Sequence, residues 1–112
     1  MSKFRCCDNK GFQITFANGV TVSVQFGPGN YCEKRDDMSY GWRVPATAGD
    51  WSSSDAEIAA WGPVVGAPWL TRQIWEKNTG ERLNDDVNGW LNTDQVLTFL
   101  NWAAAWDEVK PA

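Results

Sequence analysis

Phe12-Gln13-Ile14-Thr15-Phe16, then Ala17-Asn18-Gly19, then Val20-Thr21-Val22-Ser23-Val24-Gln25-Phe26 is the stretch that decides the fold. Apolar and polar residues alternate strictly on both sides of an Asn-Gly turn, the pattern of a half-buried β-hairpin. The loop length follows from the faces. A two-residue loop, Asn18-Gly19, sets Phe16 opposite Thr21 and Ile14 opposite Ser23, mixing apolar with polar. A three-residue loop from Ala17 to Gly19 pairs Phe16 with Val20, Ile14 with Val22 and Phe12 with Val24. Every apolar side chain then shares one face, which is expected to be core. Gly19 stands where such a loop needs a left-handed residue. Gln13, Thr15, Thr21, Ser23 and Gln25 form the other face, polar without charge, to be covered by water or by a ligand.

Downstream, Gly27-Pro28-Gly29-Asn30-Tyr31 ends the second strand abruptly, because proline and glycine stop a ladder. From Gly27 to Asp50 there is no strong periodicity, and a loop this long in a small domain is usually functional or mobile. Residues Ser52 to Trp61 read two ways. Ser54 and Glu57 have capping-box spacing and the alanines favour helix, yet Ala56, Ile58 and Ala60 alternate with Glu57, Ala59 and Trp61 as in a strand. Gly62 to Ala67 reads as a connector, and Pro68-Trp69-Leu70-Thr71-Arg72-Gln73-Ile74-Trp75 as the returning strand of a second hairpin. Asn78-Thr79-Gly80 marks a further turn.

A helix is expected from Thr93 to about Val109, with Pro111 just beyond. Asn92 is its N-cap, Gln95 completes a capping box, and Asp94 suits the positive end of the helix dipole. Val96, Phe99, Leu100 and Ala103 form one apolar stripe, expected to pack on the apolar face of the first hairpin. The order ββ, ββ, α makes residues 1–112 a single α+β domain, a small antiparallel sheet with a C-terminal helix on one face.

At 112 residues the chain has the length of one domain and buries roughly two-thirds of its unfolded surface without staples. Apolar residues are 43% and charged residues 21%, which fits neither disorder nor a membrane span. Met1 to Arg5 leads into Cys6-Cys7-Asp8 rather than an apolar leader, so a reducing interior is expected. There is no histidine, which removes Ser-His-Asp and Cys-His catalysis and histidine zinc sites. A net charge of −4 makes duplex nucleic acid a poor partner. Cys6, Cys7 and Cys32 are an odd set with no zinc-knuckle spacing, and are expected as free thiols. No metal, cofactor or catalytic constellation is expected; Asp36-Asp37 and Asp85-Asp86 lack the spacing of a cation loop and read as solvated.

Eight tryptophans are too many for one small core; about five are expected in it or at its edge, since tryptophan is seldom exposed without cause. Trp102 and Trp106, one helical turn apart, either make a subunit contact with Phe99 or widen the buried face. The candidate ligand site starts at the turn Gly27, Pro28, Gly29 and Asn30, which can offer backbone N–H groups to a phosphate. Tyr31 adds a ring to stack on a base and Arg35 a guanidinium to fork a phosphate. Trp42 with Arg43 and Trp69 with Arg72 repeat the pairing of ring and cation.

The run GFQITFANGVTVSVQFGPGNYC (11–32), with SSSDAEIAAWG (52–62) and WLNTDQVLTFLN (90–101), resembles a family of small proteins from tailed phages and prophages. The likeness is best over the first hairpin and its loop, then the final helix; 33–50 has no counterpart. Family members follow the AEIAAW-like strand with a short hairpin, where this chain has the longer 62–67. The family is grouped with the phage anti-CBASS sponge proteins. That resemblance implies a homo-oligomer in the host cytoplasm, which holds a cyclic di- or oligonucleotide of host immunity and does not cleave it. The competing expectation is an acidic protein-binding inhibitor of a host defence complex, of anti-CRISPR or anti-restriction type.

Overall fold

A computed structural model describes residues 2–63 and 69–107. Five strands form one antiparallel sheet in chain order: β1 (Lys3–Cys6), β2 (Gly11–Thr15), β3 (Thr21–Gln25), β4 (Ala56–Trp61) and β5 (Asn88–Leu91). Two helices, α1 (Thr71–Thr79) and α2 (Thr93–Ala104), complete the α+β fold. Among the described residues no helix is long and apolar enough to cross a membrane.

The first hairpin has the expected register. Phe12 faces Val24 and Ile14 faces Val22, and the Phe16 amide donates to the Val20 carbonyl at 2.9 Å across the loop. Gly19 is left-handed, with φ +89°. Asn18 does more than turn the chain. Its amide nitrogen donates to the carbonyls of Ala103 (2.9 Å) and Trp106 (2.8 Å), so the hairpin loop caps the C-terminal end of α2.

β1 carries no periodic signal of its own and every one of its residues is exposed. It joins β2 through Asp8 and Asn9, both left-handed (φ +45° and +54°), as a tight two-residue hairpin requires. β4 settles the ambiguous stretch as strand, because Ile58 and Ala60 lie opposite Val24 and Val22 on the inward face of β3, and Ala56 opposite Leu91 of β5.

The second hairpin is corrected. Residues 71–79, read as strand up to Trp75, are the helix α1. Leu70 and Ile74, four apart, are buried with Thr71, and Gly80 closes the helix in the left-handed conformation (φ +74°). The Thr71 hydroxyl accepts the Ala60 amide at 2.7 Å and the Leu70 amide donates to the Ala60 carbonyl at 2.9 Å, tying the helix start to β4. The fourth hairpin strand is instead β5, from 88–91. Most of the connector 62–67, together with Pro68, lies outside the described residues, as does the end of the expected helix beyond Asp107; α2 itself stops at Ala104.

Val20, Val22, Val24, Ile58, Ile74 and Phe99 are at the centre of a single core that both helices share with β3 and β4. The capping box of α2 is complete, with the Gln95 amide on Asn92 Oδ1 and the Asn92 amide on Gln95 Oε1, each at 2.9 Å. Trp106 is buried, Trp51, Trp61, Trp75 and Trp102 are half-buried, and Trp42, Trp69 and Trp90 are exposed. Trp102 lies edge-on to Trp75, so it widens the buried face. The three cysteines are free; Cys32 is buried, and that burial raises its thiol pKa.

Candidate functional site

The segment after β3 is irregular but tightly bound. The Gly27 amide donates to Asn30 Oδ1 (3.0 Å), the Gly29 amide to the Arg35 carbonyl (2.9 Å) and the Asn30 amide to the Gly27 carbonyl (3.1 Å). Glu57 projects from the outer face of β4 and takes the Tyr31 amide (3.0 Å) and the Asn30 side chain (3.2 Å) on its carboxylate. Asp55 accepts the Glu33 amide, and Glu33 accepts the Ser54 amide, both at 2.7 Å. That second bond holds the Glu33 carboxyl below the usual glutamate range.

This arrangement changes what the loop can do. The amides offered by the sequence as a phosphate cradle are already bonded inside the protein, two of the loop's amides to carboxylates. Gly27 and Pro28 are buried. The two residues therefore shape the turn rather than face a ligand.

What the loop presents is a set of rings. Tyr31 and Trp90 of β5 stack with centroids 5.4 Å apart and planes 22° from parallel. The Arg35 guanidinium lies 5.4 Å from the Tyr31 centroid. Trp42 lies against Gly29, where a Cβ would come within 3.0 Å of its six-membered ring. Trp90 is 56% exposed, Tyr31 37% and Trp42 69%. Among the described residues Arg35 makes no ion pair, so its charge is directed only at the ring.

Trp90 has φ +51°, a left-handed backbone that a bulky residue adopts rarely. Such a conformation costs roughly 1–3 kcal/mol and persists only where the surroundings impose it. Here they do. The Trp90 amide donates to the Tyr31 carbonyl at 2.8 Å, and the pairing of β4 with β5 slips between Ala56 and Ile58. Gly89 completes the joint, because a Cβ there would overlap Tyr31.

The sequence-derived candidates thus divide. Gly29, Asn30, Tyr31, Arg35 and Trp42 are brought together. Arg43 is exposed and does not stack on Trp42; among the described residues the ring-and-cation pairs are Arg35 with Tyr31, Lys34 with Trp51 and Lys77 with Trp106. Trp69 packs edge-on to Trp61 and, with Arg72, lines a separate open depression that also holds Glu76 and Asp86. The sequence reading missed Trp90, half of the stack, and Glu57, the carboxylate that fixes the loop. Asn88-Gly89 before an aromatic was the available signal for the first; a lone carboxylate within an apolar strand was the signal for the second.

Among the described residues no group of three or more Cys, Asp or Glu side chains is placed to hold a metal ion. The Asp37 carboxylate is occupied by the hydroxyl and amide of Ser39, and that of Asp85 by the Asp86 amide. No protein-family model, curated protein or solved structure matches this chain.

Proposed function

We propose that this chain is a non-catalytic binding protein whose seat is the Trp90–Tyr31–Arg35 ladder, and that it sequesters a cyclic di- or oligonucleotide without cleaving it. The observation that carries this reading is a solvent-facing stack of two rings beside a guanidinium that makes no ion pair among the described residues, on a strained backbone. Bases stack on rings at about 1–3 kcal/mol each, whatever their identity. A guanidinium forks a phosphate with two parallel bonds. Since the loop amides are spent, Arg35 is the phosphate ligand in this scheme. A homo-oligomer would bring two ladders to one ligand, with the host cytoplasm as the setting.

Calorimetry with a panel of cyclic dinucleotides tests the reading. Micromolar binding is expected for the native chain, and Tyr31→Ala combined with Arg35→Ala should weaken it at least about tenfold while leaving the fold intact. Absence of heat across the panel at micromolar concentrations would end it.

One observation favours the competing reading. Glu33, Asp55 and Glu57 surround the loop, and a net charge of −4 raises the cost of bringing in an anion. Trp, Tyr and Arg are also the residues that dominate protein–protein hot spots. On that reading the ladder docks on a host defence protein and inhibits it. A pull-down from host lysate separates the two, since a stoichiometric protein partner lost on Trp90→Ala supports inhibition and a released nucleotide supports sequestration.

A further inference from the structure

A second cleft, of about 390 Å³, lies between α1 and α2, away from the ladder residues. Trp75 and Trp102 form its floor, half-buried, with centroids 5.9 Å apart and planes at 78°, an aromatic corner. Glu81 and Asp94 stand on its rim, both exposed.

The side-chain oxygens of the neutral polar residues lining the cleft are already bonded within the protein. The side-chain oxygens of Asn92 and Gln95 are used by the capping box, while their NH2 groups face no partner among the described residues. The Thr98 hydroxyl donates to the Asp94 carbonyl at 2.9 Å and the Thr79 hydroxyl to the Trp75 carbonyl at 2.8 Å. The acceptors that remain are two carboxylates, neither of which accepts a hydrogen bond or forms an ion pair among the described residues, beside two electron-rich rings. An anion would meet Glu81 and Asp94. A desolvated organic cation is attracted by ring faces and carboxylates alike.

We propose that the Trp75–Trp102 corner with Glu81 and Asp94 is a binding site for an organic cation, a quaternary ammonium or a guanidinium. It owes nothing to the ladder and stands or falls apart from it. The acidic balance of the chain favours encounter with such a ligand.

The test follows the indole N–H signals of the full chain by nuclear magnetic resonance. The probes are tetramethylammonium chloride and the capped peptide Gly-Arg-Gly, with sodium chloride at equal ionic strength and capped Gly-Glu-Gly as controls. Saturable shifts of the Trp75 and Trp102 signals are expected in the millimolar range, with the Trp90 signal unmoved. Glu81→Gln combined with Asp94→Asn should weaken binding roughly tenfold, the range of one or two cation contacts. Response to tetramethylammonium alone assigns a small amine, and response to the arginine peptide alone a basic side chain. Should removal of Asp94 unravel the first turn of α2, Glu81→Gln alone, outside both helices, must still weaken the saturable shifts of Trp75 and Trp102. Equal shifts with sodium chloride or the glutamate peptide, or shifts unchanged in the variants, overturn the proposal.

Discussion

Two groups of rings in this molecule use the same residue types to opposite effect. Trp75, Phe99 and Trp102 come from successive turns of α1 and α2, and their centroids lie 5.9 to 6.4 Å apart in pairs. They pack because the helices pack, and Phe99 is fully buried. Tyr31 and Trp42 stand on irregular backbone instead and Trp90 on a strand broken by a positive φ, and all three are exposed. Hydrogen bonds to Glu57 and Asp55 fix the loop beneath them, and one of the three sits at a positive φ. The first group turns burial into stability. The second leaves apolar surface in water on a costly backbone, an arrangement that a folding requirement alone does not explain.

Substitutions in each group should therefore move different observables. The largest stability effect belongs to the core set. Phe99→Ala removes a ring with no exposure and should cost about 3–5 kcal/mol in denaturant unfolding. A loss below about 1 kcal/mol would mean that the two groups do not differ as argued.

Next in size is Gly89→Ala, which introduces a Cβ into Tyr31. Either β5 or the loop must shift, at a cost of about 1–3 kcal/mol, and the near-ultraviolet signature of the Tyr31–Trp90 stack should weaken. Trp90→Gly sharpens the contrast further. Glycine adopts φ +51° freely, so relief of strain offsets the lost stacking, and stability should stay within about 1 kcal/mol of the native chain. Ligand binding should nevertheless be lost. A drop as large as that of Phe99→Ala would place Trp90 with the core group.

The same contrast explains what was legible in the sequence. The first hairpin was readable down to its three-residue loop, because one buried face makes alternation unambiguous and excludes the other register. The capping box of α2 was readable because Asn92 and Gln95 act locally. Residues 68–75 misled because Trp, Ile and Thr favour strands, while the helical signal was short: Leu70 and Ile74 four apart, then Gly80 as a stop. β1 was invisible, since four exposed residues carry no burial pattern and its pairing comes from β2. The ladder was half legible. Tyr31 and Arg35 are local to the glycine-rich turn, but Trp90 reaches them only because β5 folds back beside β4, a juxtaposition that no local spacing encodes. Why Arg43 and Arg72 stand apart has the same root: neighbours in sequence need not point to one face.

The smallest effect concerns acid. The Glu33 carboxylate is fully exposed, yet the Ser54 amide, then the Ser54 hydroxyl, hold its pKa below the ordinary glutamate range. A carboxyl whose pKa is depressed by folding contributes its stabilisation above the unfolded value and loses it as pH falls through the folded one. Below the usual glutamate range the clamp between Glu33 and Ser54 should therefore release, and the loop that carries Tyr31 should loosen. Among the described residues the core rings have no such carboxylate tether, and Phe99, Trp75 and Trp102 pack on one another. Acidification should thus diminish the Tyr31–Trp90 stacking signal before it touches the core, and Glu33→Gln should loosen the loop at neutral pH. If stack and core melted together in acid, the loop would be part of the same cooperative unit as the sheet, and the distinction between the two sets of rings would be one of exposure only.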